Sequence, residues 1–442
     1  MENKSKGKAV ERIYALLDER SFVEIGQAVT ARSKDFQLDK VETPSDGVVT
    51  GYGLINGCPV YVYSQDAQVL GGSIGEMHAR KIVNLYDLAI KTGVPVIGMI
   101  DCAGIRLQES TDALHAFGMI YKKQAEASGV ILQISAIFGN CGGGLSVFTT
   151  LTDFTLMEEK GQLFVNAPNA IEGNRKEVLN SASAVFQSKE AGTVDFVGNE
   201  TEVFEEIRKL TQIFPSNYKD QSKVIDCVDD LNRLCENISA GNGKEILIQI
   251  ADQNEFVELK KDYGNDMAIG FIRLNGETIG CIANKEERIS AQGAKKAASF
   301  VKLCDAFGIG ILTVTDTVGF VAEIEQEKEL SQAIGAMTGA FVQATVPKVN
   351  VISKKAFGSA YVSMNSKSIG ADFVYGWSDA KIGMMEADMA VKIMYPGANA
   401  DVLKEKAKEY EELQSDVYTA ARRGYVDTVI DPAETRKYVI GA

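Results

Sequence analysis

The sequence predicts an α/β protein with largely parallel sheets, built as two similar halves. Two observations carry this expectation. Short apolar runs with strand character alternate with helical stretches. The order of motifs in the first half also returns in the second.

The repeat is read element by element. GYGLINGCPVYVYSQD, from Gly51, resembles IGFIRLNGETIGCIANK, from Ile269. KTGVPVIGMIDCAGIRL is echoed by DAFGIGILTVTDTVGFV, so that Gly93 pairs with Gly308, Asp101 with Asp316 and Gly104 with Gly319, each 215 positions apart. The same shift carries Gly143 onto Gly358. TDFTLMEEKGQLFVNAP then matches ADFVYGWSDAKIGMMEA, and AGTVDFV around Asp195 matches RGYVDTV around Asp427. A repeat this long is a domain duplication rather than a solenoid. FPSNYKDQSK supplies the Pro, Asn and charge of a linker. The two domains are therefore expected to span 1–225 and 226–442.

Within the first half, VYVYSQD, VPVIGMID, GVILQISAIFG and FTLMEE read as short buried strands. GEMHARKIVNLYDLAIKTG reads as a helix, with Leu85, Leu88 and Ala89 at helical spacing and Gly93 as C-cap. AQGAKKAASFVKLCDAFG fills that slot in the second half.

Composition narrows the function. The chain has 442 residues, 45% of them hydrophobic and 24% charged, an ordinary globular balance. A net charge of −14 with no basic stretch argues against a nucleic-acid partner. No apolar run approaches the ~20 residues needed to span a bilayer, and the amphipathic start lacks an apolar signal core. Seven scattered cysteines fit free thiols in a reducing cytoplasm. With only His78 and His115, a His-rich metal site or a Ser/His/Asp triad is hard to assemble, and no metal is expected.

The chemistry is expected in loops that follow strands. FGNCGGGLSVF puts Gly142, Gly143 and Gly144 between a strand and a helix, where bare backbone N–H groups can face an anion. KKAFGSAYVSM repeats the arrangement with Gly358, Ser359 and Ala360. The loops at Ala103-Gly104 and Val318-Gly319 follow the middle strand of each half and can add donors. Cys102 and Cys141 beside these loops are read as small buried thiols.

At these residues the chain resembles the carboxyltransferase subunits of biotin-dependent acyl-CoA carboxylases and decarboxylases. The resemblance rests on DGVVTGYG with PVYVYSQD, LGGSIGEMHARKI, DCAGIRLQES, ASGVILQISAIFGNCGGG, ATVPKVNVISKKAFGSAYVSM and ARRGYVDTVIDPAETR, which keep the family's order over nearly the whole chain. It implies a tandem of two crotonase-like domains, the first serving acyl-CoA and the second biotin. It also implies carboxyl transfer between the ureido nitrogen of biotin and the α-carbon of a short-chain acyl-CoA, without a dedicated acid or base side chain. The backbone pair Gly143 and Gly144 would hold the thioester oxyanion, and Ser359 with Ala360 the biotin ureido oxygen. Gly71, Gly72, Ser73, Gly104, Arg106, Gly142, Gly319, Phe357, Gly358, Tyr361 and Val362 map to the surrounding substrate-binding positions. Arg106 could contact a CoA phosphate or pair with Glu109, and the pair is favoured. His78 is read as a helix residue near the CoA entrance.

The resemblance further implies biotin on a separate carrier subunit, a homo-hexamer or other homo-oligomer, and a cytoplasmic setting without membrane insertion. The chain departs from the family pattern at Ser359, which replaces a glycine, and at Val318, Glu323, Cys102 and Ile105. IRLQES also resembles malonate decarboxylase subunits. A biotin-independent decarboxylase and a scaffold subunit of a sodium-pumping decarboxylase complex are thus the alternatives.

Overall fold

The computed structural model describes residues 7–220 and 224–442; the first residues of the amphipathic start and the end of the expected linker lie outside them. The chain divides into two compact units, Met1–Lys223 and Val224–Ala442.

The first unit runs α1 (Lys8–Leu16), β1 (Val23–Ile25), β2 (Val48–Ile55), β3 (Cys58–Gln65), α2 (Glu76–Thr92), β4 (Val96–Cys102), α3 (Ser110–Ala127), β5 (Gln133–Gly142), α4 (Leu145–Thr150), β6 (Phe154–Glu158), β7 (Gln162–Phe164), α5 (Ala184–Lys189), β8 (Phe196–Gly198) and α6 (Glu200–Ile213). The second runs α7 (Gly243–Ile250), β9 (Val257–Leu259), β10 (Met267–Leu274), β11 (Glu277–Asn284), β12 (Arg288–Ile289), α8 (Ala291–Ala306), β13 (Ile311–Thr317), β14 (Gly319–Phe320), α9 (Ile324–Gln343), β15 (Lys348–Phe357), α10 (Gly358–Ser363), β16 (Phe373–Trp377), β17 (Lys381–Gly383), α11 (Ala387–Met394), α12 (Ala400–Tyr410), α13 (Val417–Arg422), β18 (Thr428–Ile430) and α14 (Thr435–Gly441).

The sheets are wired alike. The first has the order β1-β2-β3-β4-β5-β6-β8 and the second, read from its other edge, β9-β10-β11-β13-β15-β16-β18. In each, an antiparallel hairpin leads into parallel strands. Register agrees as well as order. Ile97 lies opposite Ile134 in the first sheet, and Leu312 opposite Val349 in the second. Asn140 opposite Gln162 becomes Lys355 opposite Lys381. The duplication is thus preserved residue by residue in the backbone pairing.

Helix α2 shows why these elements form. Ala79, Ile82, Leu85, Tyr86 and Ala89 line one buried face, the spacing of a helix packed on a sheet. It stops at Gly93, which takes φ +67° and returns its N–H to the Ala89 carbonyl, a conformation that costs glycine little. Repeated aspartates tie the strand starts. The N–H of Gln133 donates to Asp153 and that of Lys348 to Asp372, each at 2.8 Å. Thr155 donates to Asp195, and Val374 to Asp427, each at 2.7 Å.

One element differs from the sequence reading. β5 runs on through Gly142, past the expected end of the strand at Gly139. Ile134–Ile137 pair with β6, whereas Asn140–Gly142 pair with β7. β15 divides in the same way between β16 and β17. A distant short strand supplies ladder partners that the local sequence does not reveal. No helix among the described residues is long and apolar enough to cross a membrane.

Candidate active site

Three loops meet at the C-terminal ends of β3, β4 and β5, where open parallel sheets place their ligands. The N–H of Ala103 donates to the Gly71 carbonyl, that of Ile74 to Gly104, and that of Arg106 to Ile74, each at 2.9 Å. Cys102 lies opposite Cys141 across β4 and β5, which brings the third loop, Gly142–Gly144, alongside. The structure therefore brings Gly71, Gly72, Ser73, Gly104 and Gly142–Gly144 together. Gly72 has φ +65°, and a Cβ on it would lie 2.4 Å from the Asp101 carbonyl. The close approach of these loops requires glycine there.

The glycine loop divides its labour. Gly143 takes φ +64°, and its N–H donates to the Phe164 carbonyl at 2.8 Å. That donor is occupied, which the local sequence does not disclose because Phe164 belongs to β7. The next N–H, of Gly144, has no backbone acceptor among the described residues, and Gly144 is exposed; Leu145 opens α4, so its N–H has no partner within the helix. The Tyr121 hydroxyl donates to the Gly144 carbonyl, pinning the peptide from behind. Cβ atoms built on Gly104 and Gly143 would meet nothing within 4 Å. Room is open for a ligand atom to come against the backbone.

Arg106 does not face that room. Its side chain is fully buried, donating to Asp46 at 2.6 Å, Glu109 at 2.7 Å and the Ser73 carbonyl at 2.9 Å. This corrects its place among the substrate-binding residues. A guanidinium with its donors turned inward cannot reach a CoA phosphate, and it instead joins the loops at Ser73 and Glu109. Glu109 in turn accepts the N–H of Glu76 at 2.6 Å, at the start of α2. His78 belongs to the same cluster. Its backbone N–H donates to Asp46 at 2.7 Å, and its ring contacts the Asp46 carbonyl at Nδ1 and Gln65 at Nε2. A carbonyl can only accept, so the proton sits on Nδ1. Burial, with Arg106 nearby, lowers the imidazole pKa to about 3, which leaves a neutral, structural ring. Burial pushes the Cys102 thiol up to about 12 and raises that of Cys141 as well, so neither is a nucleophile near neutral pH.

The second unit repeats the frame. β12 pairs with β14 through Arg288–Gly319 and Ile289–Phe320, the counterpart of the bridge between Ile74 and Ile105. Thr317 lies opposite Ala356, setting the Gly319 loop beside Phe357 and Gly358. Gly358 has φ +63°. Ser359 and Ala360 lie in the first turn of α10, where N–H groups have no partner within the helix. These positions are equivalent to Gly144 and Leu145, not to Gly143 and Gly144, so the same helix start follows the left-handed glycine in both units. Phe357 is buried, Tyr361 is half-buried with its hydroxyl pushed up to about 12 by desolvation, and Val362 is 39% exposed.

A family model described as the carboxyl transferase domain matches residues 2–442. The propionyl-CoA carboxylase beta chain of Roseobacter denitrificans is 37% identical over 460 residues, covering 99% of this chain and 90% of that one. The methylmalonyl-CoA decarboxylase subunit alpha of Propionigenium modestum is 37% identical over 462 residues, covering 99% and 89%. Among solved structures, the transcarboxylase 12S hexamer with methylmalonyl-coenzyme A and methylmalonic acid bound matches with a TM-score of 0.93 at 33% identity, covering 98% of this chain and 88% of that one. A full-length family match, relatives of this identity and one fold with the same duplicated crotonase-like frame lead to one conclusion: the chain belongs to the carboxyl transferase domain family and is a carboxyltransferase.

Proposed function

We propose that this carboxyltransferase moves a carboxyl group between biotin, carried on a separate protein, and a short-chain acyl-CoA of the propionyl/methylmalonyl or acetyl/malonyl type. One observation carries the reading: each unit turns at a left-handed glycine, Gly143 or Gly358, into a short helix whose first N–H groups, at Gly144-Leu145 and Ser359-Ala360, have no partner within the helix. Two sites that stabilise negative oxygen suit a reaction in which charge develops on two different partners.

In this reading the first pair holds the thioester oxygen as charge builds on it, each donor contributing about 3 kcal/mol. Gly143 acts through its conformation, turning the chain so that the following N–H groups point outward. The second pair faces the ureido oxygen, with the Ser359 hydroxymethyl group at its edge. Biotin, when bound, supplies the acceptor nitrogen and the base that moves the α-proton. The buried, neutral state of His78 supports chemistry led by backbone donors.

Val362, apolar and β-branched, supplies an apolar wall that cannot pair a distal carboxylate. A homo-oligomer and a separate biotin carrier complete the reading, in a cytoplasmic setting consistent with seven free cysteines. The test is a panel of malonyl-, methylmalonyl- and glutaconyl-CoA with free biotin as acceptor. Biotin-dependent transfer from the first two, with glutaconyl-CoA poor, is expected. Turnover without biotin would replace this reading with a biotin-independent decarboxylase, and no turnover at all would leave a scaffold.

A further inference from the structure

The two units share an irregularity directly beside the loops at Gly143 and Gly358. In the first sheet, Ile100 lies opposite Ile137, but Cys102 lies opposite Cys141. In the second, Thr315 lies opposite Ile352, but Thr317 lies opposite Ala356. In both, the outgoing strand gains extra residues and leaves for its second pairing partner, β7 or β17. Asp101 stands at the first irregularity and Asp316 at the equivalent place in the second.

Both aspartates are fastened from two sides. The N–H of Asp101 donates to the Gln65 amide oxygen at 3.3 Å, and that of Asp316 to the Asn284 amide oxygen at 3.1 Å. The carboxylates lie against the outgoing strand. That of Asp101 occupies the space beside Gly139, where an added Cβ would lie 2.0 Å from its oxygen. That of Asp316 accepts the N–H of Lys355 at 3.2 Å. Asp101 is also gripped by Arg12 at 3.2 Å, a buried side chain of α1 whose guanidinium stacks 4.8 Å from the Phe138 ring centre.

We propose that Asp101 and Asp316 are a matched pair of positioning residues: each carboxylate fills the register break of its sheet and sets the path of the outgoing strand into its donor loop, 142–145 or 358–360. Neither touches the reacting atoms. Their effect reaches the reaction through strand placement, where a displacement of about 1 Å can change turnover on the order of a hundredfold. The assignment of each aspartate to a substrate rests on the proposed division of acyl-CoA and biotin between the units.

The experiment uses the full chain with Asp101→Ala, Asp316→Ala and the isosteric Asp→Asn at each position. The first readout is hydrogen–deuterium exchange, which needs no substrate. Asp101→Ala is expected to speed exchange in peptides covering 139–146 and leave 354–361 unchanged, and Asp316→Ala the reverse. The Asn variants, which keep an acceptor oxygen but lose the charge, should fall between alanine and wild type. They decide the matter alone if an alanine variant does not fold. The second readout is transfer to free biotin. Asp101→Ala should weaken kcat/KM for acyl-CoA about tenfold or more with KM for biotin unchanged, and Asp316→Ala should raise KM for biotin. Unchanged or uniformly raised exchange in both loops overturns the positioning role. Loop-specific exchange with the two kinetic effects interchanged upholds it and overturns the proposed division of substrates.

Discussion

Replacing Gly143 by valine tests the division of labour in the glycine loop. The backbone there has φ +64°, and an added Cβ meets no atom within 4 Å. No protein atom excludes that Cβ, so the change acts on backbone conformation and on the room left for a ligand. Forcing an L-residue into the left-handed region costs roughly 1–2 kcal/mol, somewhat more for a β-branched one. In a domain of this size that lowers Tm by only a few degrees. The loop can relieve the strain by rotating back toward negative φ. Doing so breaks the bond from Gly143 to Phe164 and swings the N–H groups of Gly144 and Leu145 off their direction. Loss of one such donor lowers kcat on the order of 10²–10³-fold. Gly308→Val is the matched control, since Gly308 has φ +69°, an equally open surrounding, and a place at the opposite end of β13. The assay is thermal melting beside carboxyl transfer to free biotin. Both variants should melt slightly early, and only Gly143→Val should lose transfer. Wild-type kcat in a folded Gly143→Val protein would remove this loop from the reaction.

Two further outcomes follow from the buried cluster of the first unit. Arg106→Met should destabilise by about 3–5 kcal/mol, because Asp46 and Glu109 are left buried without their countercharge; a melting shift of roughly 6–20 °C is expected, and a shift under two degrees would show that the carboxylates find other partners. His78 predicts a pH effect of definite sign. Its folded pKa of about 3 lies below the unfolded 6.5, so the unfolded chain binds a proton that the folded chain refuses, and stability falls as pH drops from 6.5 toward 3. The slope is about 1.4 kcal/mol per pH unit, or about 2 kcal/mol by pH 5. Urea unfolding at pH 7 and pH 5 should show wild type losing that much more than His78→Asn, and equal losses would refute the assignment.

Much of the architecture was legible before any coordinates. Apolar periodicity, C-cap glycines and the 215-residue repeat are local or self-comparing signals, and α2, α8 and the inner strands form where those signals lie. Gly143 and Gly358 were legible as turn positions between strand and helix, whereas their left-handed backbone, φ +64° and +63°, is read from the structure.

What tertiary structure alone decided is which polar groups remain free. A backbone N–H is available only if nothing distant accepts from it. The Phe164 carbonyl, brought in by β7, takes the N–H of Gly143 and leaves that of Gly144 as the first without a backbone acceptor. Arg106 was readable as a phosphate ligand or as a partner of Glu109. Asp46, 60 positions earlier in the chain, settled the matter by burying the guanidinium between two carboxylates. The sequence by itself determined the two-fold plan, because periodicity and repetition are properties of the chain. The choice of donors and the roles of Asp101 and Asp316 depend on partners separated in sequence, and only folding brings those within hydrogen-bond reach.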